Sequence, residues 1–185
     1  MALLLYSALM SLDGFIEDDT GRFDWAVPDP ELHEFVNRLE SSIGTHLYGR
    51  RMYETMAVWE TLGDQPGSTA EEIAYAELWR GLTKVVYSTS LDAVWTPGTK
   101  LERSFEPEAV ARLKESVEGD ISVSGPGLAQ HAFRAGLVDE LHLFWFPVVV
   151  GGGKPGIPTG VRFDVELIDS ERFASGVVYT RHGRG

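Results

Sequence analysis

The chain has 185 residues, 43% of them hydrophobic and 11% aromatic, enough apolar material for one packed domain and too much for a disordered chain. Its 28 acidic and 16 basic residues give a formal charge of -12, a surface that repels nucleic-acid backbones and anionic membranes. There is no cysteine, which excludes disulfides, thiolate catalysis and zinc–thiolate sites.

The opening Ala2–Tyr6 run has no cationic lead and meets polar Ser7 at once, unlike a signal peptide. The longest apolar stretch, Leu143 to Val150, is too short to span a bilayer. The expectation is a cytoplasmic, single-domain protein over residues 1–185, with neither nucleic acid nor membrane as a partner.

In chain order, Ala2–Leu9 reads as a buried first strand, followed by a polar loop, Ser11-Leu12-Asp13-Gly14-Phe15-Ile16, and an acidic patch to Gly21. Asp29, Pro30 and Glu31 supply an N-cap, an N1 proline and an acidic first turn. Leu32, Phe35, Val36, Leu39 and Ile43 follow at helical spacing, with Gly44 as the stop. Thr45–Tyr48 predicts a short strand ending at Gly49, and Arg50–Ala57 a helix. Ser68 and Glu71 have capping-box spacing ahead of Ile73, Leu78 and Leu82. Lys84–Ser88 predicts a buried strand, and Pro107 opens a helix carrying Val110, Leu113 and Val117, stopped by Gly119. Ile121–Val123 is a strand, then Ser124-Gly125-Pro126-Gly127 leads into a helix over Leu128–Ala135. Leu141–Val150 reads as a long strand broken by Pro147, Gly151–Gly153 as a flexible connection, and Val165–Ile168 with Val177–Arg181 as a closing hairpin. Strand–helix alternation implies a largely parallel sheet with right-handed crossovers, and ligands in such sheets bind at the carboxyl ends of the strands.

Three segments fall at those ends. Gly125-Pro126-Gly127 with the amides of Leu128 and Ala129 suits an anion, or is simply a turn of unusual backbone angles. Gly49-Arg50-Arg51 places two cations at a strand–helix junction, either a phosphate clamp or solvated charges. Ser88-Thr89-Ser90 offers hydroxyls to a nucleotide or to a turn. The five histidines have no metal-ligand spacing, so no metal is expected, and neither a Gly-x-Ser-x-Gly elbow nor a Walker loop is present.

Taken together, these segments resemble the dihydrofolate reductase-like superfamily, and most of all the RibD C-terminal domain family of riboflavin-biosynthesis reductases. Ser11–Ile16 resembles the early Ser-Leu-Asp-Gly loop, Gly49-Arg50-Arg51-Met52-Tyr53 the cofactor motif, Ser88–Ser90 the strand end bordering the adenosine, and Ser124–Leu128 the pyrophosphate loop. Gly136-Leu137-Val138-Asp139-Glu140-Leu141 is similar to the signature ahead of the long strand, and Pro147 and Gly151-Gly152 continue it. The resemblance covers nearly the whole chain. It implies a three-layer α/β fold with a mostly parallel central sheet and a closing antiparallel hairpin. It implies NADPH as cofactor, held by Gly49, Arg50, Arg51, Met52, Ser88, Thr89, Ser90, Ser124, Gly125, Pro126, Gly127, Leu128 and Ala129, with the nicotinamide over Ala8 and Ile16. It also implies a homodimer, to which the apolar Leu141–Phe146 run adds large side chains in need of cover.

By the same resemblance the substrate is a heterocycle or a ribosylamine such as the ribosylaminopyrimidine of riboflavin biosynthesis. A dihydrofolate reductase and a non-catalytic NADPH-binding regulatory homologue are the alternatives. Dihydrofolate reductases carry a carboxylic acid near the start of the first helix. Gap-free reading from Trp25 and Pro28 puts Pro30 there, with Asp29 and Glu31 flanking it, so Asp29, Glu31 and the loop residue Asp13 are the candidate acids. The superfamily's cis peptide in the pyrophosphate loop maps to Gly125–Pro126, where proline lowers the cost of a cis bond, so a cis bond is expected.

Overall fold

A computed structural model describes all 185 residues. The strands are β1 (Leu4–Ser11), β2 (Phe15–Glu17), β3 (Ile43–Gly49), β4 (Thr83–Tyr87), β5 (Thr99–Glu102), β6 (Asp120–Ser124), β7 (Glu140–Phe146), β8 (Lys154–Pro155), β9 (Val165–Arg172) and β10 (Val178–Arg184). The helices are α1 (Pro30–Glu40), α2 (Arg50–Met56), α3 (Ala70–Gly81), α4 (Pro107–Ser116) and α5 (Pro126–Arg134). No helix is long and apolar enough to cross a membrane.

Eight strands form one sheet in the order β5-β4-β3-β6-β1-β7-β10-β9, and β2 pairs with β8 in a small separate one. Neighbours from β5 through β7 run parallel, while β10 is antiparallel to both β7 and β9. The chain winds outward from β3 to β5 and then returns to insert β6 between β3 and β1. That reversal opens a crevice at the carboxyl ends of β3, β6 and β1.

Alternation along the strands produces three layers. Leu4, Tyr6, Ala8 and Met10 of β1, Ile121 and Val123 of β6 and Leu141 and Leu143 of β7 face α4 and α5, meeting Val110, Leu128, Ala132 and Phe133. The opposite face of β7 and β10 presents Phe144, Phe146 and Tyr179 to Leu32 and Phe35 of α1. Each of these large apolar side chains contributes about 1.5–3 kcal/mol when fully buried.

Several boundaries move from their sequence-based positions. α1 stops at Glu40 because Ile43 and Gly44 enter β3 instead. Gly44 meets the Glu118–Gly119 turn so closely that a Cβ there would overlap the Glu118 carbonyl, and this contact outweighs the helical spacing of Ile43. The capping box lies one residue later, between Thr69 and Glu72, because Ser68 donates its hydroxyl to the Leu62 carbonyl. Tyr75, Ala76 and Trp79, not Ile73 and Leu78, form the buried face of α3. β7 ends at Phe146, before Pro147, and its residues are covered on both faces within one chain. β2, β5 and β8 are short and weakly patterned, and the sequence gives no sign of them. The glycine connection is not loose: Asp13 accepts from the Val150 and Gly151 amides, and a Cβ on Gly152 would lie 2.9 Å from the Asp19 carboxylate.

The peptide between Gly125 and Pro126 is trans, against the cis expectation, as there is no cis peptide in the chain. Gly125 redirects the strand into α5 with a φ of 90°, a conformation open to glycine, and leaves Pro126 at the first helical position.

Candidate active site

β3 delivers Gly49 and β6 delivers Gly125 side by side, so the starts of α2 and α5 touch. A Cβ on Gly49 would lie 3.7 Å from the Leu128 Cβ, and one on Gly125 would lie 3.5 Å from the Met52 Cβ. Both are ordinary van der Waals distances, so the two helix starts are packed against each other at these glycines. In α5 the intrahelical ladder begins with the Ala129 amide bonded to the Gly125 carbonyl at 3.0 Å. Pro126 has no N–H, so the Gly127 and Leu128 amides are left for an external acceptor. Nothing lies within 4 Å of a Cβ position at Gly127, which leaves the approach open. A pyrophosphate fits this cradle on shape and on helix-end polarity.

Arg50 and Arg51 flank the cradle in different states. The Arg50 guanidinium donates to Glu54 at 2.8 Å and to the Ser90 hydroxyl at 3.1 Å, so it joins α2 to the turn after β4. Arg51 is 81% exposed and only 3.8 Å from a Glu17 carboxylate oxygen, a loose pair that an incoming phosphate can replace. Ser88 serves the turn, accepting from the Ser90 and Leu91 amides, while Arg103 ties down the Ser88 and Leu91 carbonyls. Thr89 is exposed at the apex. The buried Tyr53 hydroxyl accepts from the Trp95 and Thr96 amides, so the tyrosine of the Gly-Arg-Arg-Met-Tyr segment fixes the same loop from beneath.

Ala8 and Ile16 belong to one apolar cluster, Ala8 within it and Ile16 packed against it. Ser124 is buried on the other face of β6, its hydroxyl 3.4 Å from that of Ser122. Its side chain is therefore directed away from the α5 cradle, which the strand's alternation requires once Ile121 and Val123 face α5.

Each of the three candidate acids has a structural partner. Asp13 accepts from the amides of Val150 at 3.2 Å and Gly151 at 2.8 Å, latching the loop after β1 to the segment after β7. A hydrogen bond from Ser11, reinforced by these amides, holds its carboxyl below the usual carboxylate range. Glu31 accepts from the Ala174 amide at 3.1 Å in the turn between β9 and β10. Asp29 caps α1, accepting from the Leu32 amide at 2.8 Å, and also lines a cavity of about 280 Å³ with Trp25, Leu32, Phe146 and Val177. Of the three, Asp29 is the one on the cavity. Sequence reasoning missed this cavity, because its walls come from three segments far apart in the chain: Trp25–Leu32, Phe146–Val148 and Ser175–Val177.

The Gly136–Leu141 signature supports the opposite end of the sheet. Asp139 accepts from the Leu4 amide at 2.7 Å and from Lys114 at 2.5 Å, while Glu140 takes a two-point bond from Arg181. No cluster of histidine and carboxylate side chains forms a metal site.

Comparison with known proteins agrees with this architecture. The chain is 29% identical over 182 residues to Uncharacterized protein YyaP of Bacillus subtilis (strain 168), covering 95% of this chain and 91% of that protein. Among solved structures it is similar to a putative riboflavin biosynthesis protein from Shewanella sp. PV-4, with a TM-score of 0.76 at 23% identity, covering 100% of this chain and 99% of that one. It is also similar to the Thermotoga maritima diaminohydroxyphosphoribosylaminopyrimidine deaminase/5-amino-6-(5-phosphoribosylamino)uracil reductase, with a TM-score of 0.67 at 15% identity, covering 100% of this chain and 57% of that one. These two likenesses concern the fold. The family model described as RibD C-terminal domain matches residues 2–179, and with nearly its whole length matched the chain belongs to the RibD C-terminal domain family of reductase-like proteins.

Proposed function

We propose that the protein is an NADPH-dependent reductase acting on a heterocyclic or ribosylamine substrate. The observation that carries this reading is the contact between the α2 and α5 starts, which sets Arg50 and Arg51 beside the free Gly127 and Leu128 amides. An otherwise acidic chain thus has a local cationic, amide-rich exception of the kind a dinucleotide's phosphates require. When bound, the nicotinamide supplies the hydride.

The protein's own part is to bind, align and exclude water. Arg51, free of strong partners, takes the ribose phosphate, and Arg50 shares it with the Ser90 hydroxyl. Ala8 and Ile16 offer an apolar floor to the ring. The Asp13 latch holds the loop that borders that floor, and its ionised carboxylate acts as an anchor rather than a proton donor. Asp29, the candidate acid that lines the cavity, faces the space assigned to the substrate ring in this reading.

The test is a fluorescence titration with NADPH and NADH, followed by NADPH oxidation with a panel of imine and carbonyl heterocycles. Preferential NADPH binding together with turnover of at least one panel member supports the reading. Absence of NADPH binding would sink it, and tight binding with no turnover across the panel would replace it with a regulatory role.

A further inference from the structure

The cavity beside α1 has a chemistry that constrains what can enter it. Its walls are mainly apolar, with Trp25, Leu32, Phe146 and Val177 among them, and its polar side chains are Asp29 and Ser175. None of the nine lining residues is a lysine or an arginine. A helix start can bind an anion without any cation, but α1 has a single amide left for one. Pro30 has no N–H, the Leu32 amide is taken by the Asp29 carboxylate and the His33 amide by the Asp29 carbonyl, which leaves only the Glu31 amide without an acceptor. Glu31 adds a second negative charge in the same turn. A phosphate brought here meets like charge and loses its hydration, with no cation and only the Glu31 amide and the Ser175 hydroxyl to replace it.

Size points the same way. About 280 Å³ suits one or two fused rings, and is at the small end for ligand pockets. The wall at Val148 is tied to the loop after β1, since Val148 accepts from the Leu12 amide at 2.7 Å.

We propose that this cavity takes an unphosphorylated ring, neutral or cationic, and rejects a ring that carries a phosphate. The inference deepens the reductase reading and rests on it for the cavity's role as the substrate side. It separates this chain's substrate class from the phosphorylated substrate in the name of the Thermotoga maritima enzyme.

The experiment uses a matched pair of probes, 5-amino-6-(5-phosphoribosylamino)uracil and its dephosphorylated form. Each is titrated by calorimetry into the full-length protein saturated with NADPH, whose own affinity is measured first. The expected result is at least tenfold tighter binding of the dephosphorylated probe. A Val27→Lys variant places a cation at an exposed position on the rim and is expected to narrow that gap at least threefold, with NADPH affinity unchanged. Equal or tighter binding of the phosphorylated probe by the wild-type protein overturns the inference while leaving the reductase reading intact. Binding of neither probe also overturns it. Failure to bind NADPH overturns the reductase reading itself, whatever the pair shows.

Discussion

Arg50 and Arg51 are neighbours in sequence with different work to do. Arg50 is committed to Glu54 and Ser90, whereas Arg51 projects into solvent beside Glu17. Replacing both with alanine is expected to weaken NADPH at least tenfold and to leave NADH nearly unchanged, as read by fluorescence titration, because only NADPH carries the extra phosphate. Equal losses would mean that neither arginine reads that phosphate. Asp29 allows a cleaner separation of stability from chemistry. Asparagine caps a helix about as well as aspartate, so Asp29→Asn should leave the melting temperature nearly unchanged, while Asp29→Ala should cost about 1 kcal/mol. Loss of turnover in the asparagine variant, with NADPH affinity kept, would assign the carboxylate a part in the reaction.

At the scale of elements, the pairing of β7 with β10 is reinforced by a buried chain of polar groups. The Tyr179 hydroxyl lies 2.8 Å from His142 Nδ1, and His142 Nε2 lies 3.2 Å from Glu140, which Arg181 holds on both oxygens. The neutral Nε2–H tautomer satisfies both histidine contacts. Burial holds the His142 pKa below its ordinary 6.5, and the Arg181 bond holds Glu140 below its ordinary 4.5. Both folded-state values are depressed, so both contributions are present above the unfolded values and are lost as the pH falls through them. Thermal melts should show stability declining as the pH drops below about 6.5, and declining further below about 4.5. His142→Gln should cost about 1–3 kcal/mol at neutral pH and flatten the upper part of that decline. Parallel pH profiles for wild type and variant would rule out His142 as its source. A second element-scale outcome concerns Gly44, where alanine would drive β3 into the Glu118 carbonyl, at an expected cost of about 1–3 kcal/mol by chemical denaturation.

For the whole molecule, the sheet is open at β9, whose eight residues are all exposed, including Leu167 and Ile168. β7, the run first expected to need cover from a partner, is satisfied within one chain. That edge offers a second copy unpaired backbone groups and exposed apolar side chains. A homodimer is the expected species, with a sedimentation mass of about 41 kDa, twice the 20.4 kDa of one chain. Leu167→Lys combined with Ile168→Lys should shift it to monomer. A 20.4 kDa species for the wild type at micromolar concentration would defeat the expectation.

Much of this molecule follows from local rules. Asp29-Pro30-Glu31 starts α1 where a cap and an N1 proline must, the β-rich Lys84–Tyr87 run is a buried strand, and the glycines at 49 and 125 mark the two sharp strand–helix joints of the cradle. The segments that border the proposed cofactor site were legible for the same reason, since backbone demands at a tight joint leave few residue choices. Contacts between distant segments decided the rest. Gly44 left the helix for β3 because Glu118, more than seventy positions away, fits against it. Asp13 became a latch through the amides of Val150 and Gly151, and Tyr53 an anchor through those of Trp95 and Thr96. The cavity beside Asp29 exists only where three remote segments meet, so no window of sequence contains it. Sequence determined where the chain turns and which faces are apolar, because those depend on neighbours a few residues apart. Tertiary structure decided which polar groups stay free, because that depends on what arrives from elsewhere to occupy them.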